Sequence, residues 1–154
     1  MQPKLPSDVV KLLRTRILPV KIGLWLIPNE YLGHEADEAV RLGIEALDIS
    51  KFWLDNMPKG TKFIGLTPEK LLERMDDIAE LPGGVDCVLI YNFDLMLAHL
   101  KQSGRKDVWE GLYLYMRKRT RALLIVMPET AVDLLPPPGD LIHWSQEDRL
   151  AGTM

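Results

Sequence analysis

Three runs of the chain are apolar almost without interruption, and the segments between them are apolar on one side only. The runs are Lys21–Ile27, Asp86–Tyr91 and Ala122–Met127. Continuous apolar runs of this length predict strands that are covered on both faces, as in a parallel sheet. We therefore expect the three strands to lie adjacent and parallel at the centre of one sheet. Ile44–Leu47 predicts a further short strand.

The clearest helical pattern lies between the second and third of these four strands. Thr67 is placed as the cap, Pro68 occupies the first helical position, and Leu71, Met75 and Ile78 recur on one face. A capping hydroxyl, a proline at the start and apolar residues at intervals of three to four are the signals of an amphipathic helix.

Weaker signals of the same kind predict the remaining helices. Ser7 and Asp48 are candidate caps, and Gly43 is a candidate stop. Asp48 would cap a helix that carries Ile49, Phe52 and Trp53. The predicted helices cover residues 7–17, 35–42, 49–57, 95–100 and Val108–Arg119.

Strands that alternate with helices predict an α/β fold, with three layers around a mostly parallel sheet and right-handed crossovers. The overall pattern is P-loop-NTPase-like. The length of 154 residues suits a single domain over residues 1–154. Near the carboxyl end, segment 136–145 is expected to form a rigid proline loop followed by an edge strand at Asp140–Trp144.

Composition and charge narrow the function classes. With 47% hydrophobic and 27% charged residues, the chain has the composition of an ordinary globular protein. The formal net charge of -3 argues against a protein that coats nucleic acid, although a local basic patch is compatible with it. The first six residues are polar and no apolar stretch reaches about 18 residues, so we expect a cytoplasmic protein without a membrane segment.

The strand that ends at Ile27 runs into Pro28-Asn29-Glu30-Tyr31-Leu32-Gly33-His34-Glu35, where a phosphate-binding loop would follow. Such a loop needs glycines, a lysine for the terminal phosphates and a hydroxyl for magnesium. No Gly-Lys-Ser or Gly-Lys-Thr is present. At the end of the strand that would carry the magnesium-holding acid stands Tyr91, and the first acid comes only at Asp94. We predict no nucleotide site, and Asn92 and Asp94 are the only candidates for one.

The middle of the chain resembles the small P-loop-containing protein of bacteriophage-exclusion (BREX) phage-defence loci. The resemblance lies in the strand Val88–Asp94 and the following Leu95-Met96-Leu97, with Gly43–Leu47 before them and a helix after them. In that family the strand reads as apolar residues followed by Asp-Asn-x-Asp. The resemblance covers roughly Val20–Met127 and consists in pattern and order of elements. It implies an ATPase-like shape and a role in bacterial antiviral defence. Because the chain departs from the family at both nucleotide (Walker) motifs, which are degenerate here, the resemblance does not imply ATP hydrolysis.

Other catalytic and metal-binding signals are missing from the sequence. His34, His99 and His143 are far apart, and none belongs to a His-x-x-x-His pattern. Cys87 is the single cysteine and lies in an apolar strand, which is the wrong setting for a nucleophile. There is no Gly-x-Ser-x-Gly elbow. We predict no metal, no cofactor and no catalytic residue.

Two surface features are candidates for contact with another macromolecule. Arg117, Lys118, Arg119 and Arg121 form the one dense basic cluster. Cations complement the carboxyl end of a helix, at about 0.3 to 1 kcal/mol for each favourable charge, and four of them exceed that requirement. The alternative is contact with nucleic acid, phosphate or an acidic partner surface. Trp144, after the proline segment, is expected to be an exposed anchor at a protein interface.

Two hypotheses of function follow from the sequence. The first is a non-catalytic P-loop-like scaffold or regulatory subunit of a multi-protein assembly, whose partners are other proteins and, through the basic cluster, nucleic acid. The second is a small NTPase or other phosphate-handling enzyme with an atypical or partner-completed site, to which Asn92, Asp94 and Arg119 would contribute. The sequence favours the first and is compatible with a homo-oligomer.

Overall fold

The computed structural model describes residues 4–15, 20–55, 66–81, 86–114 and 120–152. These residues form a five-stranded sheet in which every neighbouring pair of strands is parallel. Across the sheet the strands follow the order β2-β3-β4-β1-β5. They are β1 (Ile22–Ile27), β2 (Glu45–Asp48), β3 (Cys87–Tyr91), β4 (Ala122–Pro128) and β5 (Leu150–Gly152). The predicted α/β class is confirmed.

The three long apolar runs form β3, β4 and β1, which lie side by side at the centre as predicted. Leu24 of β1 pairs with Ile125 of β4, and Leu124 of β4 pairs with Leu89 of β3. All six residues of β1 are buried. Successive side chains of a strand point to opposite faces, so this burial requires a cover on both sides of the sheet.

One face of the sheet is covered by α1 (Pro6–Arg14) and α2 (Glu35–Leu42). Val9 and Leu13 of α1 and Ala39 of α2 pack in one cluster with Trp25 and Leu124 of the sheet. The opposite face is covered by α3 (Ile49–Asp55), α4 (Pro68–Ala79), α5 (Phe93–Leu97), α6 (Gln102–Leu114) and α7 (Pro138–Gln146). Helices on both faces of a parallel sheet give the expected three layers.

Several predicted helix ends are confirmed in detail. The Thr67 hydroxyl accepts a hydrogen bond from the Lys70 amide at 3.2 Å, at the start of α4. Asp48 Oδ1 accepts hydrogen bonds from the amide and the hydroxyl of Ser50 at the start of α3. Gly43 ends α2 with φ of 71°, a left-handed conformation that glycine adopts without a Cβ clash.

The predicted edge strand at Asp140–Trp144 is wrong, because this segment belongs to α7. Pro138 stands at the first helical position, where its missing amide costs nothing. The edge strands of the sheet are β2 and β5. β5 begins at Leu150, ten residues after Asp140, and pairs with β1.

The other helices differ from their predicted bounds at the ends. α1 begins at Pro6, after Leu5 as the cap, and not after Ser7. α5 covers Phe93–Leu97 and not 95–100, because β3 ends at Tyr91 and Asn92 then turns the chain with φ of 63°. α6 begins at Gln102, six residues before the predicted Val108.

Candidate functional site

The carboxyl ends of β1 and β4 mark the point where the chain leaves the sheet in opposite directions. After β1 it continues through α2 on one face, and after β4 it continues through α7 on the other face. In open α/β sheets, a crevice that binds ligands opens at such a switch point. This edge is therefore the place at which the fold would hold a ligand.

A crevice of about 360 Å³ lies at this edge. The loop after β1, the turn after β3 and the end of β4 enclose it. No lysine or arginine is among the described residues that line it, which are Leu32, Gly33, Glu35, Ala36, Tyr91, Asn92, Asp94, Val126 and Pro128. A crevice without a cation lacks the groups that neutralise phosphate in nucleotide sites.

Several backbone amides of the loop after β1 donate hydrogen bonds to carbonyls of the same loop. Residues 29–31 form a 3-10 turn in which the Tyr31 amide donates to the Pro28 carbonyl at 3.0 Å, and the Leu32 amide donates to the Asn29 carbonyl at 3.1 Å. The His34 amide donates to the Tyr31 carbonyl at 3.0 Å. A phosphate-binding loop instead directs its amides at the anion.

The amide of Gly33, in the same loop, donates a hydrogen bond to the Glu35 carboxylate. Glu35 is the first residue of α2, and only 7% of its surface is exposed. A carboxylate at the amino end of a helix is favoured by the helix dipole. The protein thus places a carboxylate of its own at the amino end of the helix that follows β1.

Two further titratable side chains line the crevice, Tyr91 at the end of β3 and Asp94 in α5. Burial raises the pKa of Asp94, although hydrogen bonds from its own amide and that of Leu95 oppose the shift. Burial also raises the pKa of Tyr91, and the charges of Asp48 and Glu35 add to this effect. Asp48 pairs with Tyr91 across the strands. The negative charges of Asp48 and Glu35, which act on Tyr91, would also repel an anion bound beside it.

The two sequence candidates for a nucleotide site, Asn92 and Asp94, both line this crevice. Both follow β3, which ends at Tyr91, so Tyr91 stands at the strand end and the acid comes three residues later. Their neighbours in the crevice are the Glu35 carboxylate, the Tyr91 phenol and apolar residues, without a basic partner among the described residues.

The basic cluster is only partly described. Arg117, Lys118 and Arg119 lie outside the described residues. Arg121 does not have the exposure expected of a contact residue, because it is only 4% exposed and its guanidinium forms a 2.6 Å ion pair with Glu45 of β2. It stands just before β4, where its amide also donates to the Ala79 carbonyl. Arg121 joins elements of the fold.

The expectation that Trp144 is an exposed anchor is wrong. Trp144 is 1% exposed, since α7 turns it towards the sheet. Its ring lies 6.2 Å from Trp109 and 5.2 Å from Tyr113, measured between centroids, and the Arg149 guanidinium lies 4.4 Å above it. Trp144 is therefore a core residue.

The sequence did not predict the roles of Glu35 and Arg149, two buried charged residues that bind backbone groups. Glu35 was visible only as one of three acids in the first turn of α2, and the Gly33–Glu35 spacing gave no reason to expect a closed loop. Arg149 is 2% exposed and donates from Nε to the Ile22 carbonyl at 2.7 Å. A buried arginine in a turn has no periodic signal.

No protein-family model, no curated protein and no solved structure matches the chain. Within the described ranges, no group of three or more His, Cys, Asp or Glu side chains is arranged to hold a metal ion. The helices of the described chain are all too short or too polar to cross a membrane.

Proposed function

We propose that this protein is a non-catalytic P-loop-like scaffold or regulatory subunit of a multi-protein assembly. The observation that carries the proposal is the Glu35 carboxylate on the Gly33 amide, at the edge where the fold would bind phosphate. Displacing it would leave a buried carboxylate beside an incoming polyanion, which costs free energy twice, through desolvation and through repulsion.

The direct test is calorimetric titration with ATP and with GTP at millimolar concentration in the presence of magnesium. We expect no saturable heat and no release of phosphate, because the Glu35 carboxylate holds the Gly33 amide and no described lysine or arginine lines the crevice. Saturable binding followed by turnover would overturn the proposal.

The assembly is inferred from the resemblance of Val20–Met127 to the small BREX protein, and we propose anti-phage defence in a bacterium as its setting. A test independent of nucleotide binding is the set of neighbouring genes. A methyltransferase, a large ATPase and an alkaline-phosphatase-like protein encoded beside this one, and copurifying with it, would support the proposal. Neighbours of unrelated function that form no complex with it would count against this setting.

The competing candidate is a small NTPase whose site is completed by a partner. Its support is the position of Asn92 and Asp94 in the crevice at the switch point. A partner would have to supply the cations and move Glu35 away from Gly33. Nucleotide turnover that appears only when the partner is added would favour this candidate.

A further inference from the structure

The crevice at the carboxyl edge of the sheet holds two carboxylates that have no cation beside them. They reach it from opposite faces of the sheet, Glu35 from α2 and Asp94 from α5. Neither forms an ion pair with any residue that the structure describes. The crevice therefore holds negative charge for which the described part of the fold supplies no counter-ion.

Glu35 keeps one of its oxygens free for a further donor. Oε1 accepts the Gly33 amide, whereas Oε2 accepts no hydrogen bond from a described residue. Only 7% of Glu35 is exposed, yet Oε2 is not sealed off from solvent. A largely buried carboxylate oxygen without a donor costs free energy, and a donor that enters the crevice would recover it.

On the other side of the crevice, Asp94 stands in a setting that a cation would stabilise. Burial raises the pKa of its carboxyl group, and a positive charge beside the carboxylate would lower this pKa again. Asn92 lines the same side and adds an amide oxygen as a third acceptor.

The rest of the lining is aromatic and apolar. Tyr91 is half-buried at the end of β3, and Leu32, Val126 and Pro128 line the same crevice. A guanidinium is planar and weakly hydrated, carries five donors and stacks on aromatic rings, whereas an ammonium is a compact and strongly hydrated charge. Carboxylates on two sides, a phenol ring and apolar surface together fit a guanidinium best.

Exposed apolar side chains stand at the rim of the crevice. Leu32 is 39% exposed, and Leu95, which follows Asp94 in the chain, is 49% exposed. Exposed apolar groups around a desolvated polar site are typical of protein interfaces, where arginine is an enriched residue. The negative crevice and its apolar rim are therefore complementary to an arginine that is set among apolar residues.

We propose that the crevice receives the guanidinium of an arginine side chain that a partner protein presents. The guanidinium lies between Glu35 Oε2 and Asp94, and the aliphatic stem of the arginine lies along the apolar rim. The arginine site rests on the proposed function, since it names the chemistry of the partner that such a scaffold would hold.

The test is a titration of the isotope-labelled full chain with a short acetylated and amidated peptide that carries one arginine between leucines. Amide chemical shifts measured by NMR should change saturably at Gly33, Ala36, Asn92 and Asp94. The same peptide with citrulline, which has the shape of arginine without its charge, should bind at least about tenfold more weakly, because a charged donor is lost. A lysine peptide should also bind more weakly than the arginine peptide.

A pair of variants locates the binding in the crevice. Asp94→Asn removes a charge with almost no change of shape and should weaken binding of the arginine peptide by about tenfold or more. Asp37→Asn is the matched control, since it makes the same change at an exposed position of α2 that does not line the crevice. It should bind the peptide as the wild type does, and dispersed amide signals would show that both variants are folded.

An arginine peptide that produces no saturable shifts overturns the proposal. So does equal binding of the citrulline or lysine peptide, equal weakening by the two variants, or displacement of the peptide by magnesium chloride that shifts the same amides. Calorimetry with ATP separates the two proposals. A peptide that fails to bind while ATP remains inert overturns the arginine site alone, whereas saturable ATP binding with turnover overturns the proposed function.

Discussion

Glu35 occupies a backbone donor of the crevice with its own side chain. Its carboxylate accepts a hydrogen bond from the Gly33 amide, and the amides of Tyr31, Leu32 and His34 donate to carbonyls of the same loop. These four amides are therefore engaged within the protein. The missing Gly-Lys-Ser/Thr predicted the absence of a phosphate loop, whereas the internal carboxylate that replaces it became visible only in the structure.

Replacing this carboxylate should destabilise the loop. We expect Glu35→Ala to lower the free energy of unfolding by about 1 to 2 kcal/mol, because a partly buried amide loses a charged acceptor and α2 loses a favourable charge at its amino end. Urea unfolding would measure the change. Glu30→Ala, in the same loop but exposed and without such a bond, is the matched control. Equal stability of the two variants would mean that the Glu35 contact contributes nothing.

Buried charges were the least predictable residues of this chain. Arg121 looked like part of a surface cluster because charge density in the sequence does not reveal which cations meet an acid in space. It pairs with Glu45, which lies 76 positions away in the chain. Trp144 was misassigned for a related reason: its burial depends on α7, and α7 was mistaken for a strand.

Among the helices and strands, those with a strong local signal were predicted correctly. Thr67, Asp48 and Gly43 act at helix ends through contacts within a few residues, so the sequence contains all the information. The continuous apolar runs likewise identified β3, β4 and β1. β5 and α7 could not be recognised, because a three-residue strand and a proline-led helix with mixed polarity have little pattern of their own.

The contact between α1 and β1 depends on Gly23. A Cβ at this position would lie 2.7 Å from Val9 Cγ1 and 3.1 Å from Leu13 Cδ1. We expect Gly23→Ala to lower the free energy of unfolding by about 1 to 3 kcal/mol, as overpacked cores do. Gly139→Ala is the control, since a Cβ there meets nothing within 4 Å. In thermal or urea unfolding, a Gly23→Ala protein as stable as the control would contradict this packing.

The thiol in β3 should make the stability depend on pH. Burial raises the pKa of Cys87 from 9.0 to about 12. Because the pKa of the thiol is higher in the folded state than in the unfolded state, folding stability is not reduced by this group below the unfolded-state pKa of 9.0. The free energy of unfolding then falls as the pH rises from 9.0 to about 12. The expected loss is about 1.4 kcal/mol per pH unit in this window.

Urea unfolding at a series of alkaline pH values would measure this slope, with Cys87→Ala as the comparison. Between pH 9.0 and 10.0, the free energy of unfolding of the Cys87→Ala variant should fall less steeply with pH than that of the wild type. Above pH 10.0, Tyr113 lowers the stability of both proteins, because burial raises its pKa from 10.0 to about 12. Identical slopes for the two proteins just above pH 9.0 would show that the buried thiol is not responsible.

At the scale of the molecule, the described residues form a parallel sheet with a crevice at its carboxyl edge. The strand order β2-β3-β4-β1-β5 and the opposite exits from β1 and β4 place a crevice at the carboxyl edge. The parallel core could be predicted, because strands that are buried on both faces have continuous apolar sequences. For the crevice, the sequence predicted only that the phosphate-binding motif is missing. The residues that line it come from three separate segments of the chain, so their proximity could not be read from the sequence.

The measurement that bears most directly on the proposed function is calorimetric titration of the purified chain with magnesium and ATP, repeated with GTP. The account predicts heats no larger than those of dilution throughout the millimolar range, because the Glu35 carboxylate holds the Gly33 amide and no described lysine or arginine lines the crevice. A saturable isotherm accompanied by phosphate release would contradict it.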